Sequence, residues 1–436
     1  MVAIEGGSYT IGEKGEFVTA PRDSKRRRIT VSSFFMDQYE IRNVDWREYT
    51  NWMEVVFGKA APDLVKKSKP DVMVWREELA YNEPYLQNYF THPAFDQYPV
   101  VGITWEQAMD YCAWRTDRVN ELALVRAGII EAPDFSKLDS MAYDSIRLKF
   151  VFNTQKYLLQ NSYQPKQGKH PKKDMNGSIR KVDMSDGILF SDFRLPTEAE
   201  WEFAAYAIQA KDKEGMVDGG KIYPWSGSQL RNPNKKYRGE MQANFVRGRG
   251  DLMGTSGNLN DGATITAPVD SYYPNDFGLY NMAGNVNEWV LDVYRQTSYD
   301  DMAEYNSFRG NVYMTPKVQG KNPNGQDIYE IDALGRIMND SIVDVRDFKD
   351  GDAQSQITFS LDSTLNKADT MDISDILRPV INNKTRVYKG GSWKDRAYWL
   401  DPSTRRYMQQ DQCANDIGFR CAMSMIGNIE QISKKK

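Results

Sequence analysis

Gly390-Gly391-Ser392-Trp393-Lys394-Asp395-Arg396-Ala397-Tyr398-Trp399-Leu400 is the stretch from which the rest of the chain can be read. Two adjacent glycines allow a tight backbone, Ser392 adds a hydroxyl, and two tryptophans stand six residues apart. Gly418-Phe419-Arg420-Cys421 follows roughly two dozen residues later. The layout is that of a loop built around a reactive position. Between the two tryptophans, however, stand only Lys394, Asp395, Arg396, Ala397 and Tyr398, with neither a thiol nor an imidazole. The stretch therefore poses a choice between an active site and the frame of one.

Composition narrows the chemistry further. The chain has 436 residues, 40% of them apolar and 12% aromatic, with 25 Tyr and 10 Trp, enough for a sizeable aromatic-packed core. Its net charge is −4 with both signs mixed, so no global field attracts nucleic acid. The run Lys25-Arg26-Arg27-Arg28 leads into the strand-like Ile29-Thr30-Val31 and reads as a solvated strand end. No apolar run approaches the roughly 18 residues of a membrane span. The chain opens directly on the strand-and-turn pattern Val2 to Gly7, which is consistent with an export segment removed upstream of this numbering. Two histidines, His92 and His170, are too few for a three-histidine zinc site. A Ser-His-Asp triad would need one of them to fall beside the right serine and acid. Three cysteines, Cys112, Cys413 and Cys421, show no paired metal-ligand spacing.

Two capping boxes predict helices. Thr104 with Gln107 opens one whose apolar face runs through Trp105, Ala108, Met109, Cys112 and Ala113. Thr197 with Glu200 opens another through Trp201, Ala204, Ala205 and Ile208. Its acidic residues Glu198, Glu200 and Glu202 suit capping and the helix dipole better than catalysis. From Tyr223 to Trp289 the chain is dense in Gly, Asn, Asp and Pro. Oxygen donors are plentiful there: Asn244, Asp251, Asn258, Asn260, Asp261, Asn275, Asp276, Asn285 and Glu288. Bound calcium would organise such a segment without histidine, and an Asx-turn-rich loop is the alternative. Residues 117–192 and 295–385 read as insertions, the first with a polar loop from Gln164 to Asn176, the second with Asp344, Asp347, Asp350 and Asp352 close together. Long insertions serve as lids, partner surfaces or linkers.

Eight motifs in order carry a resemblance. They are Met1-Val2-x-Ile4-x-Gly6-Gly7-x-Tyr9-x-Ile11-Gly12, then Pro99-Val100-x-x-Ile103-Thr104-Trp105 with Tyr111-Cys112-x-Trp114, and Arg194-Leu195-Pro196-Thr197-Glu198-Ala199-Glu200-Trp201-Glu202. Tyr223-Pro224-Trp225, Ala267-Pro268-Val269 and Gly278-Leu279-Tyr280-Asn281-Met282-x-Gly284-Asn285-Val286 with Glu288-Trp289 follow. Gly390-Gly391-Ser392-Trp393 and Gly418-Phe419-Arg420-Cys421 complete the order. Together they resemble the formylglycine-generating-enzyme, or sulfatase-modifying-factor, domain across nearly the whole chain. The resemblance implies an irregular α+β fold related to C-type lectins, as one domain over 1–436 with large insertions.

That family's enzymes oxidise a substrate cysteine to formylglycine with oxygen, at copper held by two cysteines just past the Gly-Gly-Ser-aromatic motif. The matching positions here are Asp395 and Leu400. Copper(I) wants soft thiolates, so the resemblance implies a pseudoenzyme without copper, with Ser392, Asp395 and Leu400 as degenerate active-site positions. It also implies a Cys112–Cys421 disulfide in an oxidising compartment. A second family pair falls on Ala205 and Arg405, and Cys413 is left over as an inert thiol. Two structural calcium sites carry over. One comprises Asn244, the Phe245 carbonyl, Asp261 and the Ala263 carbonyl; the other comprises Asn285 and Glu288 with carbonyls around Gly284 and Val286. Asn287 replaces the family's usual Trp.

Within the family, Tyr98-Pro99-Val100-Val101-Gly102-Ile103-Thr104-Trp105 and Cys112 to Glu121 are most similar to gliding-motility lipoproteins of Bacteroidota, the GldJ and GldK group. That likeness implies a non-catalytic component of the type IX secretion and gliding machinery. Its place would be the periplasmic face of the outer membrane, held by an N-terminal lipid anchor outside this chain. Its partners would be the GldK and GldN ring and associated motor components, bound through the insertions. Two other functions stay open. One is an enzyme with altered chemistry at Asp395 and Arg396, although an exposed surface pair is the simpler role for those two. The other is a calcium-dependent glycan- or peptide-binding module using Trp393 and Trp399.

Overall fold

The computed structural model describes residues 1–12, 25–207, 221–247, 261–295, 314–323, 325–341, 358–361 and 377–426, with residues 304, 308 and 310. Both capping boxes form. Thr104 Oγ1 accepts the Gln107 N–H at 3.1 Å while Gln107 Oε1 accepts the Thr104 N–H at 2.9 Å, opening the 22-residue helix Trp105–Arg126. Its core seam is Ala108, Tyr111 and Cys112, whereas Trp105 and Met109 are half-buried at its margin. Thr197 and Glu200 open Glu198–Tyr206 in the same way, and that helix is buried on every side. Ile208, expected to extend it, lies outside the described residues.

Strands are short and gathered into two four-stranded sheets. In one, Val2–Ile4 pairs with Phe34–Met36, which pairs with Ala422–Ser424, which pairs with Phe193–Arg194, all antiparallel. The chain's beginning and end are thus joined through one sheet. In the other, Arg406–Gln409, Thr385–Lys389 and Asn287–Val293 run antiparallel, and Ile417–Gly418 adds in parallel to Asn287–Val293. This second sheet carries both halves of the motif pattern, the Asn285–Trp289 turn and the strand leading into Gly390. Between the elements lies an aromatic core, with Trp46 stacked on Tyr111 at 5.3 Å and edge-on to Phe419 at 5.9 Å. Helix and sheet with long irregular connections make this the α+β fold that the motifs imply.

The insertions are less peripheral than their polar composition suggests. Leu124, Ile129, Ile130, Phe152, Tyr157, Tyr163, Val182 and Leu189 form a core of their own beyond the end of Trp105–Arg126. Residues 325–341 of the second insertion dock onto the first. Tyr143 Oη donates to Ala333 O at 2.7 Å, and Arg336 pairs with Asp332 and, across to the long helix, with Asp110 at 2.7 Å. The buried Lys156 ammonium donates to the carbonyls of Arg147, Leu148 and Val151 in its own insertion and to that of Gly335 in the other. The Asp344 to Asp352 cluster lies outside the described residues.

Candidate functional site

Gly390 and Gly391 have φ of +103° and +71°, values that L side chains rarely adopt. A Cβ on Gly391 would stand 2.8 Å from the Trp399 carbonyl, so the loop can lie against the Ala397–Leu400 turn only with glycine there. The loop is clamped on its other side as well: Gly284 N–H donates to Gly390 O and Trp393 N–H to Asn285 O, both at 2.9 Å. Ser392 is consequently fully buried.

Its hydroxyl lies 2.6 Å from Asp395 Oδ2 and 3.2 Å from Asp416 Oδ2. Asp395 also accepts the Ser392 N–H at 2.9 Å and Asn287 Nδ2 at 3.2 Å. Its charge is met by Arg406, whose two terminal nitrogens reach Oδ1 and Oδ2 at 2.7 and 2.6 Å. Arg406 in turn stacks on Trp399 at 4.4 Å and Tyr388 at 5.0 Å. The simple expectation of an exposed Asp395–Arg396 pair is therefore corrected. Arg396 faces solvent, and the partner of Asp395 comes from the next strand, because a bidentate guanidinium held between two rings outcompetes a solvated neighbour. Burial pushes the Asp395 carboxyl up, but the Arg406 hydrogen bonds and charge outweigh it and hold the group below its ordinary value. Asp416 is shifted the other way, by burial and by the charge of Asp395. An ionised, arginine-bound carboxylate is a poor base, so Asp395 does not activate the Ser392 hydroxyl as a nucleophile.

Leu400, five residues on, faces elsewhere. It is fully buried among Tyr223, Met241, Ala243, Phe245 and Ala283. The two positions that would hold copper thus end in an ion pair and in an apolar cluster. Neither supplies a soft ligand, and copper(I) does not fit them.

Trp393 and Trp399 already have partners. Trp393 stacks on Trp75 with ring centres 6.1 Å apart, and Trp399 carries Arg406.

Cys112 and Cys421 meet in the core with their sulfurs 3.6 Å apart, both as free thiols. Cys413 is remote from them; burial and the charge of Asp71 push its thiol up to about 11, which suits an inert side chain. Ala205 is fully buried, and Arg405 fills the opposite position with a bidentate pair to Glu198 at 2.7 and 2.9 Å. Lys389 joins Glu198 at 3.1 Å to Glu202 at 2.8 Å. Four buried charges therefore balance beneath the Gly-Gly turn. Capping and the dipole account for Glu200, which also grips Arg194, but not for Glu198 and Glu202. The signals that could have revealed this cluster are a lysine directly before Gly390 and an arginine at a cysteine position.

The two calcium ligand sets fare differently. Asn244 Nδ2 donates to Ile265 O at 2.8 Å, and Asp261 Oδ1 accepts the Ala263 N–H at 3.4 Å. Burial raises the Asp261 carboxyl, while hydrogen bonds from the Ala263 and Phe245 backbone lower it. The Phe245 and Ala263 N–H groups thus bring their stretches to the Asp261 carboxyl, and the residue types of Asn244, Phe245, Asp261 and Ala263 (an amide, a carboxylate and two backbone carbonyls) are hard-oxygen donors of the kind calcium takes. Asp251, Asn258 and Asn260 lie outside the described residues. The second set does not converge. Glu288 is fully buried and bound to Arg420 at 2.5 and 2.7 Å and to Trp201 Nε1 at 2.8 Å. Asn285 Oδ1 accepts the Ala267 N–H at 2.7 Å, and its Nδ2 donates to Glu40. With Glu288 saturated by arginine and Asn285 turned to other partners, the Gly284, Asn285, Val286 and Glu288 set does not fit a cation.

A separate cleft of about 620 Å³ opens where both insertions meet the long helix, between Met109, Thr116, Phe193, Arg194, Arg336 and Met338.

Comparison with known proteins agrees with this frame. Residues 1–425 match the family described as sulfatase-modifying factor enzyme 1-like domain. The chain is 25% identical over 295 residues to the formylglycine-generating enzyme of Mus musculus, covering 67% of this chain and 58% of that enzyme. It is 24% identical over 319 residues to the inactive C-alpha-formylglycine-generating enzyme 2 of Bos taurus, covering 69% of this chain and 73% of that protein. Among solved structures, PvdO from Pseudomonas aeruginosa aligns over 97% of this chain and 93% of its own, at 16% identity and a TM-score of 0.45. The chain spans little more than half the length of the mouse enzyme. With the family model covering nearly its entire length, the chain belongs to the sulfatase-modifying-factor family.

Proposed function

We propose that this chain is a non-catalytic member of its family, a scaffold that binds other proteins through its insertions. One observation carries this reading: the copper-ligand positions have become Asp395, ion-paired to Arg406, and Leu400, packed in an apolar core. Replacing the metal centre with internally satisfied contacts leaves the frame intact and removes the ligands that oxygen chemistry there would need. Family relatives named as inactive lend support.

At a finer level, the Tyr98 to Trp105 and Cys112 to Glu121 motifs favour a place in the type IX secretion and gliding machinery, as a lipid-anchored protein at the periplasmic face of the outer membrane. GldK, GldN and motor components are the partners this reading names. The docked insertions, with the cleft between them, supply the contact surface. Calcium at Asn244, Phe245, Asp261 and Ala263 would pin the irregular loop beside Leu400.

Mild cross-linking in native cell envelopes, followed by affinity purification, tests the proposal. The intact chain is compared with one whose residues 295–385 are replaced by a short linker. Recovery of ring and motor proteins with the intact chain and their loss on deletion is the expected result. Recovery of no secretion proteins with either form would end the assembly reading.

A further inference from the structure

Residues 164–181 carry six cations, Lys166, Lys169, Lys172, Lys173, Arg180 and Lys181, against one acid, Asp174, in a chain whose net charge is −4. Residues 172–180 fold as a small hairpin, and residues 166–170 just before it pair with residues 128–131 of the first insertion, where Lys166 meets Glu131. Lys173 and Ile179 face each other across the hairpin, and Gly177 turns the chain at φ +84° with open space around it. At the tip Met175 is 106% exposed, and Ile179 beside it is 52% exposed.

The hairpin is presented rigidly. His170 N–H donates to Gly128 O at 2.8 Å, Arg180 is locked on Asp186 at 2.6 and 2.8 Å, and Lys181 Nζ caps the carbonyls of Tyr157 and Gln160. The outward cations are different. Lys169 and Lys173 are exposed and have no ion pair among the described residues, and Lys172 comes only within 3.8 Å of Asp186.

We propose that this hairpin docks onto an anionic phospholipid surface, with Lys169, Lys172 and Lys173 over headgroup phosphates and Met175 and Ile179 entering the interface. Three observations favour lipid over an acidic protein or a nucleic acid. The cations without an ion pair among the described residues, Lys169 and Lys173, are lysines on flexible stems, which suit a diffuse negative surface, whereas the one arginine fork is already committed to Asp186. Apolar side chains share the tip with them, an arrangement that phosphate binding alone does not call for. The turn also satisfies its own backbone: Asp174 N–H donates to Ser178 O, Gly177 N–H to Asp174 O, and Asp174 Oδ1 accepts the Asn176 and Ser178 N–H groups. A tip with those polar groups internally paired can approach a low-dielectric interface without leaving them stranded. The proposal is independent of the scaffold reading and of any lipid anchor.

The test is co-sedimentation of the purified chain with phosphatidylcholine vesicles, with and without phosphatidylglycerol. Partition onto the phosphatidylglycerol vesicles alone is expected, weakening as salt rises. The Lys169→Glu/Lys173→Glu variant should lower it by about tenfold or more, and Met175→Asp should lower it with the lysines intact. Lys235→Glu/Lys236→Glu, which moves the same charge elsewhere on the surface, should leave most of it. All these side chains are solvent-facing, and circular dichroism confirms that each variant folds. Absence of partition, or partition unchanged by Lys169→Glu/Lys173→Glu, overturns the proposal. So does a Met175→Asp variant that partitions normally while polyglutamate competes, since the hairpin would then be recognising acidic polymer and not lipid.

Discussion

The carboxylate of Asp395 receives five hydrogen-bond contacts, two of them from Arg406, and the guanidinium is itself wedged between two aromatic rings. Such a pair is held by mutual need more than by net gain: removing one partner strands the other in a poorly solvated place. Arg406→Met is therefore expected to cost about 2–3 kcal/mol in urea unfolding, and adding Asp395→Asn should recover part of that loss. A single variant as stable as the parent would show that the pair does not hold the loop. Glu40 offers a pH test. It is buried, and burial with the nearby charge of Glu288 pushes its carboxyl up to about 8, against help from Arg420, Asn281 and Asn285. The folded state then binds a proton more readily than the unfolded chain between about 4.5 and 8. Stability from this group is full below that window and is lost as pH rises through it, at about 1.4 kcal/mol per pKa unit. Glu40→Gln should flatten the decline in stability from pH 5 to pH 8, and an unchanged slope would assign the decline to other groups.

At the scale of elements, Lys156 is the joint between the two insertions. Its ammonium serves four carbonyls, and burial lowers it to about 8. Lys156→Met leaves those carbonyls without their donor and is expected to cost about 2–4 kcal/mol. Hydrogen exchange should speed up around Leu334 and Gly335 while Trp201 and its neighbours stay protected. The Cys112–Cys421 contact joins the long helix to the closing strand of the first sheet. In an oxidising compartment it is expected to form a disulfide worth about 2–5 kcal/mol. The melting temperature should fall on reduction, and a Cys112→Ala/Cys421→Ala variant should lose that redox dependence. Much of this level was legible in the sequence, because capping boxes and motif order are local signals. Thr104, Gln107, Thr197 and Glu200 do what their spacing says. The buried Glu198, Glu202, Lys389 and Arg405 were not legible as a cluster: their partners lie up to 207 residues apart, and nothing local distinguishes a paired buried charge from a solvated one. For the same reason the motif could single out Glu288 as a ligand but could not reveal Arg420, which occupies it.

For the whole molecule, the sheet that joins Val2–Ile4 to Ala422–Ser424 and the one that carries the Gly-Gly loop keep a family frame in which the two copper-ligand positions carry an ion pair and an apolar contact. Calcium at Asn244 and Asp261 is the cation proposed for this frame. Its addition is expected to raise the melting temperature of the parent but not of an Asp261→Ala variant. The central proposal is that this frame does not oxidise cysteine. Its most direct test is incubation of the chain with copper(I), oxygen, a reductant and a cysteine-containing sulfatase-motif peptide, with the peptide read by mass spectrometry. The peptide should keep its thiol throughout. Conversion to the aldehyde, in a preparation whose Asp395→Ala variant is inert, would contradict the claim.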